Sequence, residues 1–273
     1  MLISVIIPVY NAAKTIGRCI ESVVLSVERV TKDYEIICVD DGSTDNSLEM
    51  LTTLAEGNPK LIVLHQQNAG AASARNRGLE VAQGDFIAFN DADDEWCEFH
   101  VALLLAAFTA YPEVCCVSAN HDVERQVVCG LKKLCDCTYE VSLIAQQFKN
   151  WFSPPNSMIS RKIIEFGVRF DPAMKGSEEV LFYNHILRDF RCLFVNKMIS
   201  RSILGKFRFG DGGLSGNLRE MEKGELYALR DAHRKLGVPF FVYACACAWS
   251  LLKYVRRIVI VRVRRMKANL SRA

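Results

Sequence analysis

Over its first 120 residues the chain alternates between two hydrophobic patterns. Unbroken apolar, β-branched runs begin at Ile3 (ISVIIPV), Glu35 (EIICVD), Lys60 (KLIVLH), Asp85 (DFIAFN) and Val114 (VCCVSA). Between them apolar residues recur at helical spacing, as Ile16, Ile20, Val23, Val24 and Val27 do. Strands without polar alternation are buried on both faces, so the pattern predicts an α/β fold with a parallel sheet wound by helices. Asp45 or Ser43 is expected to cap the helix carrying Leu48 and Leu51. Gly70 precedes an alanine-rich helix that Gly84 is expected to end.

After Ala119 the alternation fades. Residues 121–140 suggest an irregular hairpin, Ser142 to Lys149 a short helix, and GSEEVLFYNHILRD a helix capped by Ser177. The expected organisation is a domain over 1–217, with a first half 1–119 and a second half 120–217, followed by a helical basic region over 218–273.

Charge is concentrated where buried strands end. VDDGSTDNS places Asp40 and Asp41 there, and FNDADDEW places Asp91, Asp93, Asp94 and Glu95. Like charges this close repel unless a cation or a donor-rich ligand compensates them. In open α/β sheets ligands bind outside the carboxyl ends of the strands, where these aspartates fall. An Asp-x-Asp pair leaving one strand end on the same side suits a hard divalent ion shared with phosphate oxygens. Solvated loop residues and helix caps are the alternative, weakened by two clusters at neighbouring strand ends. The chain has no G-x-x-x-x-G-K-[ST] loop and no G-x-G-x-x-G after the first strand, and Trp96 stands where a calcium loop starting at Asp91 would need glycine.

SVIIPVYNAAKTIGRCIESV, EIICVDDGSTDNS, QQNAGAASARNRGLEVAQGDFIAFNDADDEW and NSMISRKIIEFGVRFDPAMKGSEEVLFYNHIL together resemble a family 2 glycosyltransferase of the GT-A fold, in the family's order from Leu2 to Arg191. The resemblance implies a Rossmann-like, mostly parallel sheet flanked by helices and an inverting transfer from a nucleotide-sugar donor. Pro8, Val9, Tyr10 and Asn11 would lie along the nucleotide, Asp40 would accept from a uracil imide with Asp41 beside it, and Arg75 would lie near the nucleotide. Asp93 and Asp91 would hold Mn²⁺ or Mg²⁺, Asp91 also reaching towards the ribose. The acidic pair opening a late helix is Glu178-Glu179 here, where the family commonly has Glu-Asp. Glu179 thus matches the catalytic base with a longer side chain, and Glu178 is the alternative. Trp96, His100, Trp151 and Asn156 could form an acceptor surface by stacking on sugar faces, or could be packing residues. RFGDGGLSGN, with Arg208, resembles a flexible loop near the donor phosphates.

Composition adds two points. Eleven cysteines with no basic, apolar leader at the start read as free thiols in a reducing cytosol. Cys129, Cys135 and Cys137 lack paired C-x2-C spacing and read as small buried hydrophobes rather than zinc ligands. The net charge of +3 hides an asymmetry: residues 232–273 hold ten Lys and Arg and no acid, leaving −7 on residues 1–231.

The 15 apolar residues from Val238 to Leu252 are short of a bilayer span and precede KYVRRIVIVRVRRMK, where basic and apolar residues interleave. This predicts an interfacial segment on an anionic inner membrane surface, a helix packed on the domain and a solvated tail being the alternatives. No nucleic-acid module is recognisable. The expectation is a membrane-peripheral cytoplasmic enzyme of bacterial polysaccharide or lipopolysaccharide synthesis with a lipid-linked glycan acceptor. A non-catalytic nucleotide-sugar-binding scaffold of the same fold is its rival.

Overall fold

The computed structural model describes residues 1–124, 128–205, 209–210 and 216–270. The first half follows the predicted alternation: β1 (Ile3–Val9), α1 (Ile16–Glu28), β2 (Tyr34–Asp40), α2 (Ser47–Glu56), β3 (Leu61–His65), α3 (Ala71–Val81) and β4 (Phe86–Phe89). β1 pairs in parallel with β2 and β4, and β2 with β3. The apolar runs are explained by burial on both sides. Ile3, Val5, Ile7 and Val9 pack with α1 and with α4 (His100–Ala110), while Ile6 joins the opposite core with α3.

The remaining strands run in both directions. β5 (Asp94–Trp96), β6 (Val114–His121), β7 (Lys132–Lys133), β8 (Thr138–Val141), β9 (Ser157–Ser160) and β10 (Arg191–Ser202) complete a ten-stranded sheet. Its order is β3-β2-β1-β4-β9-β6-β10-β8-β7, with β5 on β10. β9 enters between β4 and β6 antiparallel to both, so the finished sheet is mixed. The hairpin expected over 121–140 is the short antiparallel β7–β8 pair. α5 (Leu143–Phe148) is capped by Ser142, whose hydroxyl accepts from the Ala145 N–H. α6 (Arg161–Glu165) and α7 (Glu178–Asp189) cover the same sheet face as α3.

Several local expectations need correction. The cap position of α2 is Asn46, while Asp45 Oδ1 accepts from Ser47 N at 3.0 Å at the start of that helix; Asp45 Oδ2 also accepts from Ala13 N at 3.1 Å and Ser43 Oγ from Asn11 N at 3.0 Å, joining the loops after β1 and β2. α3 ends at Val81, short of Gly84. Ser177 holds the cap position of α7, but in left-handed backbone with φ 56°, and its hydroxyl donates to Met221 O at 3.0 Å. Cys129 and Cys135 are exposed rather than buried.

The C-terminal region forms two helices, α8 (Leu218–Lys235) and α9 (Phe240–Leu270). α8 lies between α7 and α9, and α9 also touches α5. The apolar and basic stretches distinguished in the sequence are therefore one continuous helix. Among the described residues no helix is long and apolar enough to cross a membrane.

Candidate active site

The site assembles where β1, β2 and β4 end. Parallel register sets Val9 beside Asp40 and Asp40 beside His65. Val9 is fully buried and its carbonyl accepts from Asp41 N, so its side chain belongs to the core. Pro8 is half-buried, and Tyr10 is exposed at the rim. Asn11 adopts φ 49° and accepts from Thr44 N at 2.8 Å, which holds the loops after β1 and β2 together.

The two neighbouring aspartates have different tasks. Asp40 is fully buried; its Oδ2 accepts from Ser43 N at 3.3 Å and stands 2.8 Å from His65 Nδ1, while its buried Oδ1 has no hydrogen-bond partner among the described residues. A buried carboxylate oxygen lacking a donor is costly, so this atom suits a ligand N–H. Asp41 is already supplied: it accepts from Gln66 Nε2 at 2.7 Å, Ala69 N at 2.9 Å and Gly70 N at 2.8 Å. It anchors the start of α3, and the expectation of a nucleotide contact for Asp41 gives way to that role.

Beyond β4 the Asp-x-Asp lies in a tight turn rather than on extended strand, because Asp94 N returns to Asp91 O at 3.0 Å. Ile203 N fixes the Asp93 carbonyl at 2.9 Å. The turn, not strand alternation, sets the two carboxylates. Asp94 is drawn inward, with His121 Nε2 at 3.6 Å, and that imidazole also stands 3.4 Å from Asp122 and 2.9 Å from Ser200 Oγ.

Arg75 connects this turn to the acidic pair. It lies on the buried face of α3, one turn from Ala72 and from Leu79. Its Nη2 binds Asp91 Oδ1 at 2.7 Å, its Nη1 binds Glu178 Oε1 at 2.9 Å, and the guanidinium sits 5.4 Å from the Phe170 ring. Arg75 is thus a buried bridge between the two acidic motifs. With Glu178 committed to that bridge, Glu179 is the pair's second carboxylate. Burial, and next the adjacent Glu178, push its pKa up to about 8. Asn150 Nδ2 approaches Glu179 Oε1 at 3.5 Å.

The aromatic residues expected to meet an acceptor are packed away. Trp96 and Trp151 are each 3% exposed, and His100 is fully buried. Trp96 stacks on His100 with centroids 3.8 Å apart and donates from Nε1 to Pro155 O at 2.9 Å. His100 Nδ1 lies 3.0 Å from Ile199 O, and burial depresses its pKa to about 3, which keeps it neutral. Trp151 packs edge-on against Phe194, and Asn156 donates to Ala119 O. These rings are spent on the core. Arg208 lies outside the described residues.

Sequence reasoning missed His65, Asn150 and His121. His65 could have been found, because it ends the apolar run KLIVLH as Asp40 ends EIICVD. Asn150 and His121 carry no such signal.

Among the described residues no group of three His, Cys, Asp or Glu is placed to hold a metal ion. Asp91 and Asp93 can still share one, since Mg²⁺-type sites commonly use one or two carboxylates and complete their shell with water and substrate phosphates.

A mixed sheet flanked by helices, with acidic residues gathered beyond the ends of its parallel strands, gives the chain a GT-A-like fold. The chain belongs to glycosyl transferase family 2, whose model matches residues 4–222. It is 34% identical over 184 residues to the uncharacterized glycosyltransferase alr2836 of Nostoc sp., covering 63% of this chain and 55% of that protein. It is 52% identical over 93 residues to the uncharacterized glycosyltransferase YibD of Escherichia coli, covering 34% of this chain and 26% of that one. The chain thus spans between about a quarter and about half of these relatives. The mannosyltransferase PcManGT from Pyrobaculum calidifontis, solved with GDP-Man and Mn²⁺, superposes with TM-score 0.69 at 18% identity over 99% of this chain and 80% of that one. S. aureus TarS 1-349 with UDP-GlcNAc gives 0.68 at 20% identity, covering 92% and 72%. Identities this low speak to the fold alone.

Proposed function

We propose that this chain is an inverting glycosyltransferase. It would move a sugar from a nucleotide donor, a UDP-sugar, to a hydroxyl of a lipid-linked glycan at the cytoplasmic face of a bacterial membrane. The observation that carries this reading is the Arg75 bridge, which brings together the Asp-x-Asp turn and the acidic pair from opposite halves of the chain. Family membership supports transfer from a nucleotide sugar, and the bound nucleotide sugars of TarS and PcManGT support the donor class.

In this mechanism Asp40 Oδ1 accepts the imide N–H of the base, which orients the nucleoside. Asp93, with Asp91, would hold Mn²⁺ or Mg²⁺, whose charge stabilises the diphosphate as it departs. Glu179 takes the proton of the acceptor hydroxyl while that oxygen bonds to the anomeric carbon, and the bond from that carbon to the diphosphate oxygen breaks. Attack opposite the leaving group inverts the centre. The raised pKa of Glu179 suits it to take a proton, and Glu178 stays on Arg75.

Calorimetry of UDP with and without Mn²⁺, on wild type and Asp93→Ala, tests the donor site. Metal-dependent binding that is lost in the variant is the expected result. Turnover with Glu179→Gln tests the chemistry: binding retained without transfer supports the base, whereas a protein that binds UDP but never turns over supports a scaffold.

A further inference from the structure

We infer that the outer face of α9 is a docking surface for an anionic lipid bilayer. This deepens the membrane setting of the proposed function, and its test reads vesicle binding rather than turnover, so the two can fail separately.

α9 has two chemically distinct faces. The inner one is spent on the protein. Ala246 and Ser250 are fully buried, Ser250 Oγ donates to Glu222 at 3.0 Å, Arg257 meets Glu225 at 3.2 Å, and Lys253 also pairs with Glu225. Val261 is packed beneath Gly210. Two acids of α8 thus neutralise the basic residues that point inward.

The outer face is apolar. Phe241 (77% exposed), Leu252 (63%), Val255, Val259 and Met266 (64%) follow one another at steps of eleven, three, four and seven residues, so they form one ridge. A helix of this length extends about 46 Å, far more than an isolated exposed side chain would occupy. Arg256 and Arg262 flank the ridge on either side, are exposed, and make no ion pair among the described residues. An apolar ridge edged by arginines matches the boundary between acyl chains and headgroups, and the flanking charge selects anionic lipid. No Asp or Glu occurs from residue 232 onward. A second copy of α9 would therefore set arginine against arginine, which disfavours self-association through this face. The ridge lies in the plane of a surface rather than across it, since no described helix qualifies as a span.

The experiment is flotation of the full chain with phosphatidylcholine vesicles, with and without phosphatidylglycerol. It compares wild type with Leu252→Gln/Val259→Gln and with Arg256→Gln/Arg262→Gln. All substituted side chains are exposed, so circular dichroism and nucleotide binding should be unchanged. The expected result is binding that requires phosphatidylglycerol, weakened at least tenfold by the apolar pair and roughly fivefold for each arginine removed. Binding to neither vesicle overturns the inference. So does binding unaffected by the apolar pair, which would mark a purely electrostatic attraction. A dimer in light scattering that Leu252→Gln/Val259→Gln dissociates, without vesicle binding, would assign the ridge to a second copy instead.

Discussion

Arg75 Nη1 stands 2.9 Å from Glu178 Oε1 while Nη2 of the same guanidinium stands 2.7 Å from Asp91 Oδ1. One buried cation therefore holds the first aspartate of the Asp-x-Asp turn and the first glutamate of α7. Removing it leaves Glu178, only 6% exposed, without its counter-charge. Arg75→Met should destabilise the fold by about 3 kcal/mol in denaturant titration, since breaking a buried pair exposes an uncompensated charge. Arg75→Lys should recover stability only in part, because a single ammonium lacks the fork that reaches both carboxylates. Full stability in Arg75→Met would remove the bridge from the account.

Protonation of Glu179 should shape the pH profile. With its pKa raised to about 8, kcat/KM should climb with pH until that value and then level off. Glu179→Gln should lower kcat by roughly 10²–10⁴-fold and leave donor binding in place. The same shift has a stability sign. A carboxyl raised in the folded state binds its proton more tightly there than when unfolded. Its contribution is full below the ordinary 4.5 and is lost as pH rises through about 8. Denaturant midpoints of Glu179→Gln relative to wild type should therefore rise between about pH 4.5 and about pH 8 and stay level above that.

Gly224 sits inside α8, where alanine would ordinarily gain about 1 kcal/mol. Here a Cβ would lie 2.0 Å from the carbonyl oxygen of Gly176, which Ser177 separates from the acidic pair. Gly224→Ala should instead cost about 1–3 kcal/mol and lower kcat more than it changes donor affinity, as α7 is pushed from α8. An unchanged thermal midpoint and kcat would show that the two segments separate without cost.

Trp96 offers a test between packing and acceptor recognition. Its ring is buried on His100 and its Nε1 is satisfied by Pro155 O. Trp96→Ala should cost about 3–5 kcal/mol of stability. Below the variant's melting transition, acceptor KM should stay within about twofold of wild type, a negligible change against the factor of ten that 1.4 kcal/mol represents. A large rise in KM with little loss of stability would return Trp96 to the acceptor site.

Chelation provides the last check. Adding EDTA should abolish metal-dependent UDP binding in wild type and change nothing in Asp93→Ala, where that binding is already absent. Asp41→Asn should act differently, loosening the start of α3 through Ala69 N and Gly70 N and so lowering thermal stability by about 1–3 kcal/mol.

The first half of the fold was legible because its signals are local. Apolar runs such as Ile3–Val9 and Tyr34–Asp40 report burial on both faces through their own composition, and Asp40 and the Asp-x-Asp turn follow at the carboxyl ends of the strands. The motifs also singled out Glu178 and Glu179. Tertiary structure alone decided the rest. β9 crosses between β4 and β6 in antiparallel sense, a choice made by partners distant in the chain. Arg75 became a bridge because α3 turns it inward against two acids, whereas a sequence names a charge without its direction. Asp40 and Asp41 are adjacent and identical in type, yet one keeps a buried oxygen with no partner among the described residues and the other accepts from Gln66, Ala69 and Gly70. Local pattern encodes which residues must leave water; only the folded chain fixes which donor each buried charge then finds.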